Sequence, residues 1–335
     1  MNTYAIWNNK GGTGKTSLSF QIICSNAAKH GSQKNLVIDL CPQANLSELF
    51  LGGITGDGGK HLYKLFEGYR KTIGGYFQIR FNSPFSAPTI TPNDYITTPN
   101  DFNKNIPENI DLVAGDQIVE IQNNAISTLA NTQLPNTNTW IAVIDWVKDL
   151  IAATSYDNVF IDLNPSFSIY TQIGLATCGE LIIPVMADDS SRRAVNNVLS
   201  LIYGIAVSQI YQQYSFSTKM HEAKRGLPKI KCVINNRLTR YVGAASAYKS
   251  VLNEIEKEVK LLANKYPEHF IGGEGFDTFI DVRDFGITGV ASFAQGCPFY
   301  RLRAGKNIVA GDETALAPTY IDHCLKAIDT IVKII

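Results

Sequence analysis

Lys10-Gly11-Gly12-Thr13-Gly14-Lys15-Thr16-Ser17 follows a short β-type run at residues 3–8. It leads into residues 17–29, where apolar side chains such as Leu18, Ile22 and Ala27 recur at helical spacing. Glycines at 11, 12 and 14 let the backbone take positive φ and turn its N–H groups toward one anion. The helix that follows adds the positive end of its dipole. Lys15 has the reach for β- and γ-phosphates, the Thr16 hydroxyl suits Mg²⁺, and Ser17 is placed for an α-phosphate. The strict phosphate-loop pattern wants glycine at position 9. This chain has Asn9 there, and a second lysine, Lys10, opens the loop. Gly31 stops the helix, and residues 36–38 make a buried strand that ends at Asp39. Strand, glycine loop, helix and strand form a βαβ unit, whose apolar strands predict a parallel sheet covered on both faces.

Further short apolar runs stand at 110–113, 159–161, 181–185, 230–234 and 279–282, and helical patterns at 139–154, 191–211 and 244–265 separate most of them. The expected fold is therefore α/β: a doubly wound, mostly parallel sheet with helices on both faces, in a single domain over residues 1–335. Residues 69–108 break the alternation. They hold five of the 13 prolines and read as an irregular insertion in which only 76–81 suggests a strand.

Hydrophobic residues make up 45% of the 335 and charged residues 18%, which excludes a disordered chain. Thirty basic and 30 acidic residues cancel, which excludes a globally basic nucleic-acid binder and leaves room for a local basic patch. No apolar run approaches the ~20 residues of a transmembrane helix. The N-terminus lacks the basic region of a signal peptide and runs straight into the glycine loop. Six scattered cysteines with no Cys-x-x-Cys pair fit a reduced, cytoplasmic protein rather than a disulfide or zinc framework.

Other segments join the loop in a recognisable order. They are Asp39-Leu40-Cys41-Pro42-Gln43-Ala44-Asn45-Leu46-Ser47, residues 109–115, residues 156–166 ending Asp162-Leu163-Asn164-Pro165-Ser166, Cys232-Val233-Ile234-Asn235, and Ile280-Asp281-Val282-Arg283. With the Lys-Gly-Gly-x-Gly-Lys-Thr loop, this set resembles the ParA/MinD group of deviant-Walker P-loop ATPases, and the ParA-type partition ATPases in particular. The resemblance implies ATP and Mg²⁺ as ligands. Lys10, Gly11, Gly12, Thr13, Gly14, Lys15, Thr16, Ser17, Asn235 and Arg283 would bind ATP, with Asn235 meeting the adenine. Thr16 and Asp162 would hold Mg²⁺, Asp162 through water. Lys10, Lys15, Asp39 and Cys41 would serve hydrolysis, Lys10 by reaching across a homodimer to the partner's nucleotide. The resemblance further implies non-specific DNA binding in the ATP state, nucleoid association and an activating adaptor of the ParB kind.

Two positions depart from that pattern. Cys41 stands where the family has an aspartate that orients the attacking water, which predicts slow hydrolysis. Asn164 stands where the family has proline. Between 215 and 249, eight basic residues face one acidic residue. Within this window Lys219, Lys224, Arg225, Arg237, Arg240 and Lys249 are the expected DNA contacts. Residues 320–335 have the spacing of an amphipathic helix. Their polar positions mix Asp322 and Asp329 with Lys326 and Lys333, which favours docking on the core over the membrane anchoring of a MinD-like alternative.

Overall fold

A computed structural model describes residues 1–86, 89–238, 242–309 and 312–335, with the side chains of 189, 190, 192, 242–248, 308 and 312 left aside. The first half of the chain runs β1 (Asn2–Ile6), α1 (Lys15–Lys29), β2 (Asn35–Asp39), α2 (Asn45–Phe50), α3 (Gly58–Phe66), α4 (Ile73–Arg80), β3 (Ile110–Val113), α5 (Ile118–Asn131), α6 (Thr139–Ile144), α7 (Trp146–Ala152) and β4 (Asn158–Asp162). It continues as α8 (Ile169–Thr177), β5 (Glu180–Met186), α9 (Asp189–Tyr203), α10 (Gln209–Gln212), α11 (Phe216–Glu222), β6 (Lys229–Leu238), α12 (Val242–Lys265), β7 (Phe279–Arg283), α13 (Gly286–Gln295), β8 (Gly305–Val309), β9 (Asp312–Leu316) and α14 (Pro318–Val332).

Seven strands pair in the order β3-β2-β4-β1-β5-β6-β7, every pair parallel. This is the doubly wound α/β architecture read from the sequence. All five residues of β2 and of β4 are buried, as strands covered on both faces must be. Alternation in β1 feeds two cores. Ala5 and Trp7 join the cluster that includes residues of α5 to α9 and α12, while Tyr4 and Ile6 face α1 and its neighbours. The chain leaves β1 in one direction toward β2 and later fills the other side with β5. The crevice at the carboxyl end of β1 is thus the switch point where such folds bind ligands.

Three expectations change. Residues 76–81 are not a strand: Ile73, Tyr76, Phe77 and Arg80 are the buried i, i+3, i+4, i+7 face of α4. The Thr72 side chain caps that helix by accepting the Gly75 N–H at 3.2 Å. A Cβ at Gly75 would stand 1.9 Å from the Arg70 carbonyl oxygen, so only glycine lets the chain turn into α4 this tightly. The insertion is also tied down. Arg80, 1% exposed, pairs with Asp149 at 2.6 Å and lies over the Trp146 ring, whose indole N–H donates to the Pro84 carbonyl. The long pattern at 191–211 closes early, because Gly204 (φ 69) ends α9. The β8–β9 hairpin has no counterpart in the sequence reading. The expectation for the C-terminal stretch stands: α14 buries Ile321, Cys324, Ile328, Ile331 and Val332 against the core beside α1 and β7.

Candidate nucleotide-binding site

The glycine loop wraps the carboxyl end of β1, with Gly12 at φ 74 and Gly14 at φ 83, the latter ending the loop at the start of α1. Lys15 folds back under it. Its ammonium donates to the carbonyls of Asn8 (3.1 Å) and Lys10 (2.8 Å), and burial pushes its pKa down to about 8 against the pull of Asp162. Thr13 Oγ1 and Asn9 Oδ1 are buried and make no hydrogen bond within the protein. The Thr13 hydroxyl can donate, so on a loop with two glycines at positive φ it fits an anionic ligand, whereas Asn9 Oδ1 accepts and calls for a donor instead.

Two carboxylates close the far wall. Asp39 ends β2 and Asp162 ends β4, paired in register. Thr16 Oγ1 lies 3.4 Å from Asp162 Oδ2, and Ser19 Oγ donates to Asp162 Oδ1 at 3.2 Å. Burial raises the pKa of Asp162, and the Asp39 charge raises it further. Burial also raises Asp39, opposed by donation from Ser47 Oγ (2.7 Å), the Ser47 N–H (3.0 Å) and the Cys41 N–H (3.0 Å). A hydroxyl and a buried carboxylate so close together are the donor set that a hard cation such as Mg²⁺ requires. Cys41 is half-buried beside them. Burial pushes its thiol up to about 12, and the Asp39 and Asp162 charges reinforce the shift, so it is neutral at physiological pH.

Beside the loop opens a cavity of about 450 Å³, lined in part by Gly14, Ser17, Asn236, Arg237, Phe285 and Phe293. Its mixture of aromatic walls with a few polar groups suits a nucleoside. The asparagine facing it is Asn236, whose Nδ2 donates to the Thr13 carbonyl at 2.8 Å. Asn235 points to the other face of β6, toward Asp281 (2.9 Å) and Glu256 (3.2 Å). Successive strand residues alternate faces, so Asn236 and not the expected Asn235 lines this cavity. Arg283 is exposed and absent from the lining, where Asp284 takes its place. A larger cavity of about 600 Å³ lies at the opposite, amino edge of the sheet between Lys34, Asp111 and Tyr156, away from the loop.

Lys10 is held in place rather than extended. Its ammonium bonds to Asp188 at 2.5 Å and to Ser191 Oγ at 3.3 Å. Asn164 makes contacts no proline side chain supplies: its Nδ2 donates to the Tyr170 hydroxyl, which donates to Glu120. The basic window is divided. Lys219 stacks over Trp140 at 5.5 Å, and Arg225 pairs with Asp145. Lys224 is exposed near that end, whereas Arg237 lies at the far end of β6, a ten-residue strand about 30 Å long. Lys249 is exposed on α12, and Arg240 falls outside the described residues. Sequence reading missed Ser19, Asp188 and Asn236, and gave Ser47 no role of its own. A period-two count along β6 was the available signal for the last.

Fold and loop together define a P-loop nucleotide-binding protein. The chain belongs to the AAA domain family, whose model matches residues 1–213. No curated protein matches its sequence. Solved structures do match. A plasmid partition protein from Borrelia burgdorferi B31 bound to AMPPNP is 16% identical, with 100% of this chain and 99% of that one covered at a TM-score of 0.57. An ATP complex of McdA from Cyanothece is 16% identical over 99% and 95%, at a TM-score of 0.62. Cobyrinic acid a,c-diamide synthase from Mycobacterium smegmatis, with an ATP analog and magnesium, is 15% identical over 77% and 82%, at 0.50. At these identities the likeness is one of fold, and it bears out the expected ParA-type architecture.

Proposed function

We propose that the chain is a ParA-type switch ATPase that partitions or positions a large cargo. The observation that carries this reading is the pair of lysines on one glycine loop: Lys15, bonded to the Asn8 and Lys10 carbonyls on the side of Asp162, and Lys10, bonded to Asp188 and Ser191. Lys15, the loop amides, Thr16 and Ser17 hold the triphosphate of ATP. Asn236 and the aromatic wall of the neighbouring cavity receive the adenosine. Thr16 and Asp162 would hold Mg²⁺, which when bound would supply neutralisation of the phosphate charge. Asp39, fixed by three donors, shapes the turn that carries Cys41 toward the attacking water. A neutral thiol accepts a proton poorly, so hydrolysis is slow and the ATP state persists.

In that state Lys10 reaches the nucleotide of a second copy, giving a face-to-face homodimer. The dimer binds DNA without sequence preference, which puts the protein on the nucleoid. An adaptor of the ParB kind triggers hydrolysis. The structural likeness to a plasmid partition protein and to McdA supports this reading over that of a small-molecule synthetase, whose match covers less of the chain. The MinD-like alternative loses ground because α14 already buries its apolar face in the core.

The test is nucleotide titration together with sedimentation velocity. Lys15→Ala should abolish ATP binding. Lys10→Ala should retain most of the binding and lose the ATP-dependent dimer. A Lys10 variant that dimerises as well as the native protein refutes the role across the interface.

A further inference from the structure

Lys10 is constrained in both backbone and side chain. Its backbone is fixed twice, the N–H donating to Asn8 Oδ1 at 3.0 Å and the carbonyl accepting Lys15 Nζ at 2.8 Å. Only its side chain is free to swing, and that side chain is engaged. The ammonium sits against Asp188, immediately before α9, and Ser191 in the first turn of that helix. The seat is built by its own local geometry. Asp188 caps α9 by accepting the Ser191 N–H on Oδ1 at 2.7 Å, and its Oδ2 accepts from the lysine. Ser191 Oγ also accepts the Met186 N–H at 3.1 Å, which holds the hydroxyl where the ammonium meets it.

We propose that Asp188 and Ser191 form a latch that keeps Lys10 on its own subunit, so that assembly with a second copy requires both subunits to surrender this contact. The inference rests on the switch reading above and adds its regulation. One ammonium cannot be committed to Asp188 and also neutralise a phosphate of the partner's nucleotide. The two sites therefore compete, and the latch sets the ATP and protein concentrations at which dimers appear. A partly exposed ion pair is worth roughly a 1.4- to 5-fold change in an equilibrium. In a two-fold dimer both latches open, so the effect enters squared: about 2- to 25-fold in the dimer dissociation constant.

Asp188→Asn tests this while preserving the fold, because asparagine caps helices as well as aspartate does. With full-length protein and saturating ATP and Mg²⁺, sedimentation velocity should show the variant dimerising at a lower concentration than the native chain, by that factor. Amine labelling of Lys10 in nucleotide-free protein should be faster in Asp188→Asn. A native chain that dimerises with ATP while Asp188→Asn shows an unchanged or weaker dimer overturns the latch alone. A native chain that stays monomeric with ATP overturns the switch reading and the latch with it.

Discussion

The backbone N–H of Cys41 donates to Asp39 Oδ1 at 3.0 Å, so the main chain at position 41 is set by the carboxylate two residues earlier. Ser47 holds the other oxygen of Asp39, and its hydroxyl in turn accepts the Gly115 N–H at 2.8 Å. The turn is thus pinned independently of the Cys41 side chain, and a substitution there alters the chemistry of the site before its geometry. Cys41→Asp should raise basal ATP turnover by about tenfold or more, since one positioned general base is typically worth ~10²–10⁴. Measured phosphate release with Cys41→Asp no faster than native, and Cys41→Ala equal to both, would make the side chain a bystander.

Thiol chemistry gives a pH dependence with a definite sign. Burial and two nearby carboxylates push Cys41 up to about 12, so its thiolate is roughly 10⁻⁴ of the population at pH 8, against about a quarter for an ordinary thiol. The other five cysteines are buried. Iodoacetamide labelling of Cys41, followed by mass spectrometry of its peptide, should therefore be slow at pH 7 and climb about tenfold per pH unit up to pH 10. Rapid labelling at neutral pH would show that the site stabilises the thiolate, and would reopen a direct role for sulfur in the reaction.

Two adjacent asparagines separate nucleotide contact from support of the fold. Asn236 bonds to the Thr13 carbonyl, and a Cβ on Gly14 would come within 2.3 Å of its Nδ2. Asn236→Ala should loosen the loop and weaken ATP binding about tenfold, the scale of one lost buried hydrogen bond. Asn235 is fully buried and joins Asp281 to Glu256 across β6, β7 and α12. Asn235→Ala should lower the melting temperature and leave nucleotide affinity within a factor of about three. Fluorescent-nucleotide titrations and thermal melts on the same preparations read both. The reverse pattern would restore Asn235 to the adenine.

The sheet, the loop and the position of Asp162 were legible because each rests on local pattern: apolar runs of strand length, glycines where positive φ is needed, and carboxylates ending buried strands. Asn235 against Asn236 was not, because a motif match fixes a segment while the face of a strand depends on register. Helix α4 was hidden by Gly74 and Gly75, which weaken helix propensity yet permit its close approach to Asp116 and Arg70. The basic window looked like one patch because counting charge along the chain ignores the length of β6 and the partners waiting at Asp145 and Trp140.

That division sharpens the prediction for DNA. Arg225 is bound to Asp145, and Lys219 is half-buried over an indole ring, where burial lowers its pKa. Neither offers a free cation to a phosphate without breaking a contact inside the protein. Lys249 is exposed and lies within the first third of α12, near the carboxyl edge of the sheet where the nucleotide loop also sits. With ATP and Mg²⁺ present, Lys249→Glu should weaken retention on non-specific duplex DNA and lower the slope of log affinity against log salt by about one per lost phosphate contact. Arg225→Gln should leave both nearly unchanged and cost some thermal stability instead. Binding measured by fluorescence anisotropy at several salt concentrations decides the matter. If Arg225→Gln proves the more damaging change, the DNA face lies at the amino end of β6, and the ion pair with Asp145 is what binding must open.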